Sequence, residues 1–263
     1  MNSSPLRVLK LGLPALVAAA LALVLWEAAG RTLGIKDYLL PVPTKVLEAA
    51  SAHSVGLLRD SLFTFGESAA ALLLATLLAF STAVLFQLNN VLRQALLPLV
   101  IASKSVPIVV FAPLFALWFG YGPSGKVALA TLVAFLPIAV NATFGMDAIA
   151  AEQLDLFRLH RASKWKVLWK LRLPNAVPFI MPALRLSATL AVLGVVIAEM
   201  TGAKAGLGAT ILITSSTLDT PLLFGAALCA LLVCGALLVA ISLIENIALR
   251  RFRYDLKAES TKL

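Results

Sequence analysis

Long apolar runs alternate with short polar links along almost the whole chain, and that rhythm decides what it can fold into. A coiled run of about twenty apolar residues matches the hydrocarbon thickness of a bilayer. Such runs recur at roughly 11–29, 67–87, 94–119, 127–146, 178–200 and 222–244. The composition agrees, with 60% hydrophobic and 13% charged residues and a mean hydropathy of +0.95. Soluble domains sit near about 45–50% apolar and about 25% charged. Lipid offers no partner for backbone N–H and C=O groups, so a spanning segment must bond within itself, and no strand pattern or internal repeat is visible. The expected fold is therefore all-α, a polytopic membrane protein with about six transmembrane helices in a single domain, 1–263. Its core is about 60–250, with an N-terminal span at 11–29 and a flexible tail at 254–263.

The third run is interrupted by Lys104, Ser105, Pro107 and Pro113, which predicts a kinked or broken span. The first run follows Arg7 and Lys10 and resembles a signal peptide in outline. Its length, and Trp26-Glu27 where small residues would mark a cleavage site, favour an uncleaved span.

The net charge of +9 is distributed as a membrane topology. Arg158, Arg161, Lys164, Lys166, Lys170 and Arg172 crowd the link between spans 4 and 5, and Arg250, Arg251, Arg253, Lys257 and Lys262 crowd the tail. Basic links stay cytoplasmic, so both termini are expected on the cytoplasmic side of the membrane, and nucleic acid is not an expected partner.

Several features look chemical and are read otherwise. Gly120 to Lys126 fits the first seven positions of a phosphate loop, but Val127 stands where Ser or Thr would ligate magnesium, and Pro123 removes an amide. The chain is expected to hydrolyse no ATP itself. His53 and His160 have no ligand partners at helical spacing, and Cys229 and Cys234 lie about 140° apart on a helix, so no metal site or disulfide is expected. No nucleophile–base pair stands out, which leaves a transport protein rather than an enzyme. An ion-driven carrier is the alternative, though such carriers commonly show broken helices in two related halves.

Charged or amide groups at membrane depth usually face a bundle interior or a wet cavity. Lys104, Asn141 and Glu199 are the candidates for a translocation path, and Glu67 lies near a boundary. For Asn141 an interhelical hydrogen bond is the stronger reading.

The basic insert at about 150–175 is amphipathic. Leu156, Phe157, Leu159 and Ala162, then Trp165, Val167, Leu168 and Leu171, suit a short helix, a turn near Ala162-Ser163, and a second helix. Ser163 is placed to cap that second helix, and Pro174 and Pro178 to end it before span 5. From pattern alone, an interfacial helix lying on lipid and a helix docking on a partner are equally good readings.

At this insert the chain resembles the permease subunits of ATP-binding-cassette importers. Their cytoplasmic loop reads E-A-A, three residues, G, nine residues, then I-x-L-P. Here Asp155-Leu156-Phe157 holds the first positions, Arg161 the glycine position, and Leu171-Arg172-Leu173-Pro174 the end. The stretch from Lys104 to Gly120, Leu40-Pro-Val-Pro43, Pro137 with Asn141, and Ala198-Glu199 followed by Gly206-Leu-Gly208 are similar to the nitrate/sulfonate/taurine branch. The resemblance covers about residues 20–250.

It implies a coupling helix that docks on a separate ATPase, which carries the ATP and magnesium, so that no cofactor is bound by this chain. By resemblance the docking residues are Asp155, Phe157, Arg158, Leu159, His160, Arg161, Ala162, Ser163 and Lys164, with Phe157 and Leu159 as apolar anchors. It further implies a homodimer in the lipid bilayer and an extracytoplasmic solute-binding protein. The expected solute is a sulfonate, taurine, nitrate, or a pyrimidine- or flavin-type vitamin precursor.

Overall fold

The computed structural model describes residues 5–102 and 107–260, of which the side chains of 14 and of 17 onward to 245 are described within the terminal helices. Those residues form helices joined by short links, with no strand among them. The elements are α1 (Pro5–Thr32), α2 (Pro43–Ala52), α3 (Ser54–Leu88), α4 (Asn90–Ala102), α5 (Ile108–Phe119), α6 (Pro123–Asp147), α7 (Ala151–Leu159), α8 (Lys164–Val167), a π-helical turn (Leu168–Arg172), α9 (Leu173–Glu199), α10 (Leu207–Ser216) and α11 (Thr220–Ser260). Among the described residues, four stretches are long and apolar enough to cross a membrane, at Ser54–Leu88, Pro123–Asp147, Lys164–Glu199 and Thr220–Glu245.

The centre is a three-helix layer of α3, α6 and α9. Its contact faces are built from small residues four apart. On α3 these are Ala71, Ala75, Ala79 and Ala83, all fully enclosed; on α6, Ala130, Ala134 and Ala142, with the larger Ile138 between the last two. Between helices in lipid, association rests on close packing and polar contacts rather than on a hydrophobic drive, which favours such stripes. Gly194 of α9 marks the closest crossing, since a Cβ there would lie 2.8 Å from the Ala130 Cα. Ser187 Oγ donates to the Ala134 carbonyl at 2.8 Å and adds an interhelical bond. The outer faces are the opposite, with Leu73, Leu74, Leu77, Leu78 and Leu85 all exposed on α3, as a lipid-facing surface requires.

Where the structure departs from the sequence reading, local chemistry explains it. Span 2 begins well before residue 67, because α3 runs unbroken from Ser54. Span 3 is divided into α4 and α5, as its prolines imply, yet Pro98 and Pro113 both sit inside helices. Lys104 lies outside the described residues. Pro174 and Pro178 do not end a helix. Instead the backbone widens to a π turn in which Leu173 N–H donates to the Leu168 carbonyl, and this passes directly into α9. Pro174 comes just after the widened turn and Pro178 lies inside α9, so the helix runs through both. The backbone of α11 runs to Ser260.

The stretch after span 1 folds back as α2, which packs on α11 and α1. Glu27 of α1 holds it there by accepting from Thr44 N at 3.1 Å and Thr44 Oγ1 at 2.8 Å. Thr44 is the second residue of α2, so a carboxylate from another helix serves as its N-terminal cap.

Candidate functional site

The basic insert forms a bent arm at one end of the bundle. Its first limb, α7, packs only sparsely on the rest of the chain. Leu159 is 81% exposed and Leu156 is 54% exposed, while Phe157 and Ala162 are half-buried. Asp155, Arg158, His160, Arg161, Ser163 and Lys164 are exposed. Asp155 pairs with Arg158 at 2.9 Å along the helix, and His160 Nδ1 lies 2.9 Å from the Leu156 carbonyl. All the docking candidates thus share one short arm, with Leu159 rather than Phe157 as its most available apolar group.

The turn of the arm lies at Arg161, not at Ala162-Ser163. Arg161 has φ +49°, the left-handed region where glycine is at ease and other residues are strained. Its N–H reaches the Arg158 carbonyl at 2.9 Å, and Ala162 N–H reaches the Phe157 carbonyl at 3.0 Å, closing the helix end. The turn that glycine makes in the resembled pattern is thus made here by arginine. Ser163 caps α8 as expected, accepting from Lys166 N at 3.3 Å.

The arm is anchored to the bundle through one carboxylate. Asp147, the last residue of α6, takes both arms of Arg93 from α4, with Nη1 at 3.2 Å and Nη2 at 2.6 Å. On its other side Arg172 of the π turn approaches Asp147 at 3.3 Å, donates to the Met146 carbonyl at 3.2 Å, and bonds Gln87 of α3. Gln87 returns a bond to Asp147 at 3.0 Å, and Asn175 bonds the Gly145 and Ala148 carbonyls at 2.9 and 2.7 Å. A motion of the arm therefore reaches α3, α4 and α6 through bonded groups. Of this joint, the sequence alone pointed to Arg172, as part of the basic link. An acidic residue ending span 4 opposite arginines was the available signal.

A second polar cluster occupies the other end of the bundle. Lys126 and Glu67 form an ion pair at 2.5 Å with both side chains over nine-tenths buried. Glu199 is fully enclosed beside them. Its carboxylate accepts from Thr64 Oγ1 at 2.9 Å and from Gly208 N at 2.8 Å. Leu207 N donates to Thr64 Oγ1 at 3.0 Å, Gly206 N to Asp60 at 3.2 Å, and Thr210 Oγ1 to Asp60 at 2.5 Å. The first amides of α10 are thus capped by side chains of α3 and α9. A carboxylate at a helix N-terminus is favoured by the helix dipole, which gives Glu199 a reason to be there. Glycine is required on both sides of it. A Cβ on Gly206 would lie 2.0 Å from Glu199 Oε1, and one on Gly208 would lie 2.3 Å from the Val196 carbonyl.

Of the candidates for a path, Lys104 lies outside the described residues, and Asn141 and Glu199 serve separate local contacts. Asn141 donates to the Pro137 carbonyl of its own helix at 2.8 Å, not across an interhelical gap. Glu199 belongs to the cap of α10. Lys126, the lysine of the phosphate-loop look-alike, is committed to Glu67 and so faces no phosphate.

Comparison with known proteins fits this architecture. Residues 71–254 match the family model described as binding-protein-dependent transport system inner membrane component. The chain is 34% identical over 242 residues to the riboflavin transport system permease protein of Chloroflexus aurantiacus, covering 91% of this chain and 90% of the relative. It is 32% identical to the formylaminopyrimidine transport permease protein of Halalkalibacterium halodurans, over 71% of this chain and 74% of that one. It is also 32% identical to the taurine transport system permease protein of Escherichia coli, over 72% and 71%. All three are transport permeases, and none is named as an enzyme. The match over most of the chain, together with its apolar helices, places it among the binding-protein-dependent transport system inner membrane components: it belongs to that family, as a multi-pass inner-membrane permease subunit of an ABC importer.

Proposed function

We propose that α7 is the element through which a separate cytoplasmic ATPase drives this permease. The observation that carries the reading is the arm itself. Leu156 and Leu159 stand exposed among Arg158, His160, Arg161 and Lys164, on a helix that packs little on its own chain but is bonded at its base to α3, α4 and α6. Apolar anchors rimmed by charge are what a specific docking surface needs. The arm end is then cytoplasmic, with both termini on that side, and the Glu199 end faces outward toward a solute-binding protein. Two copies of the chain flank the path, and ATP with its magnesium stays on the partner. Closure of two ATPase subunits would draw the arms together and bias the bundle between two states. Lys104 and Asn141 are kept as path candidates. Glu199 is assigned instead to holding α10.

For the solute we propose a small heterocycle of the flavin or pyrimidine type ahead of a sulfonate, taurine or nitrate. The riboflavin permease is matched over 90% of its length, against 71% for the taurine permease.

The test is copurification in mild detergent of the wild type beside a Leu159→Glu/Arg161→Glu variant. An ATPase bound to the first and lost from the second supports the reading. A folded wild type that holds no ATPase overturns it. Cells carrying the complete system should then take up labelled riboflavin in preference to taurine, and the reverse preference overturns the solute assignment.

A further inference from the structure

The second limb of the arm carries a surface that docking of α7 does not use. Residues Lys164–Glu199 form one continuous helical stretch of 36 residues. That is about 54 Å at 1.5 Å per residue, against a hydrocarbon core of about 30 Å. Its first turns must therefore emerge from the membrane on the α7 side. Leu168 in those turns is buried against Ala83, Met146 and Ala176, which fixes one side of the segment to the bundle. Other faces carry Trp165, 55% exposed, and Trp169, 59% exposed, with Lys164, Lys166 and Lys170 exposed alongside. Residues four apart share a helix face, so the two tryptophans form one stripe and Lys166 and Lys170 another.

The depth of this surface can be read from the joint below it. Arg172 is bonded to Gln87 and Asp147 at the inner ends of α3 and α6. Trp169 follows about 4.5 Å further along the axis and Trp165 about 10 Å. A headgroup layer is about 5–7 Å deep on each side of the core, so Trp169 lies within it and Trp165 about 3 Å beyond it, close enough for its side chain to reach the headgroups. Tryptophan concentrates at that level because its ring is apolar and its N–H is polar. The charge is also unanswered within the chain. Between Asp155 and Glu199 the sequence holds no acidic residue, and among the described residues Lys164, Lys166 and Lys170 take part in no ion pair.

We infer that this Trp/Lys face binds the headgroups of anionic lipid in the leaflet on the α7 side. It would hold the base of the arm at the membrane surface, so that force applied to α7 acts on the Asp147 joint rather than swinging the limb. The inference rests on the tryptophans and lysines alone and does not depend on an ATPase being present.

The test uses the full chain carrying Trp26→Phe and Trp118→Phe, which leaves Trp165 and Trp169 as its tryptophans. It is reconstituted into vesicles of phosphatidylcholine with phosphatidylglycerol, with bromine placed shallow in the acyl chains of one lipid or the other. Emission should be quenched about twofold or more strongly when phosphatidylglycerol carries the bromine, at equal mole fraction. Lys166→Gln/Lys170→Gln should abolish that preference, and Lys166→Arg/Lys170→Arg should keep it. A circular dichroism spectrum and a single elution peak check that each variant is folded. Equal quenching by both lipids overturns the inference, as does water-like emission that neither lipid quenches. Loss of a copurifying ATPase from the glutamine pair, with quenching unchanged, would overturn it in favour of a protein surface.

Discussion

The two ends of the bundle each carry a charged cluster joining three or more helices, and they are built on opposite terms. At the α10 end, Glu67, Lys126 and Glu199 are almost wholly removed from solvent. At the α7 end, Arg93, Asp147 and Arg172 keep a quarter or so of their surface exposed. Charges taken out of solvent are costly to separate, because an orphaned partner has no water to turn to. Charges still touching water can exchange a partner for a solvent bond at little cost. The first cluster therefore suits a fixed frame and the second a joint that remakes its bonds. The helix dipoles sharpen the contrast. Lys126 near the start of α6 and Glu199 at the end of α9 are each at the wrong end of their own helix, so they serve neighbouring helices rather than their own.

The largest effect should come from breaking the enclosed cluster. Lys126→Met leaves Glu67 without its counter-ion and should cost about 3–5 kcal/mol. Thermal unfolding of the detergent-solubilised protein measures it. Adding Glu67→Gln to the same background should recover most of the loss, because the pair is then removed together. A loss below about 1 kcal/mol for the single variant would mean that water reaches this end of the bundle too, and the proposed contrast would collapse.

Next in size is the glycine cradle. Gly208→Ala would place a methyl 2.3 Å from the Val196 carbonyl and 2.7 Å from Glu199 Cβ. Overpacking of this kind costs about 1–3 kcal/mol. Gly66→Ala, on α3 near the same cluster but in open space, is the matched control. It should be neutral or stabilising, since alanine is the better helix former by about 0.5–1 kcal/mol. If both substitutions cost the same, the cradle has no special fit to Glu199.

How much of this could be read from the chain alone differs between the two ends for the same physical reason. The spans, the broken third span, the basic arm and the capping role of Ser163 follow from local periodicity and composition. Glu67 and Glu199 could be flagged because a carboxylate among apolar residues is conspicuous. Their partners could not, because Thr64, Lys126 and the amides of α10 come together only through the crossing of α3, α6 and α9. The prolines misled for a similar reason. Pro174 and Pro178 look like stops in isolation, but the helix runs through both, Pro174 just after the π turn and Pro178 inside α9. At Arg161 the family spacing marked a turn, and the side chain drew attention away from it toward Ala162-Ser163.

The joint at the α7 end should respond to substitution more in function than in stability. Asp147→Asn removes the charge shared by Arg93 and Arg172 but leaves an amide able to bond Gln87, so the expected loss is about 1–2 kcal/mol. In the assembled importer the larger consequence should be in coupling, with ATP hydrolysis retained and solute uptake falling. Asp147→Glu should restore part of the uptake. Hydrolysis and uptake falling together would instead make Asp147 part of a fixed frame like the other cluster, and the distinction between the two ends would be lost.

The smallest effect should have the opposite sign. Arg161 holds φ +49° with its side chain exposed and with no ion-pair partner among the described residues. An L residue pays about 1 kcal/mol to occupy that region, and glycine does not. Arg161→Gly should therefore raise stability by up to about 1 kcal/mol, less whatever glycine gains in freedom when unfolded. Arginine persists at a strained position only if it returns something there, and in the free permease nothing in its surroundings does so. On the proposed docking role the return comes on binding the ATPase, and the two readouts then diverge. The glycine variant should be the more stable permease and the weaker binder of the ATPase, with weakening that fades at high salt as a rim charge requires. If it binds as tightly as the wild type, the arginine has no docking role and the turn alone is what position 161 supplies.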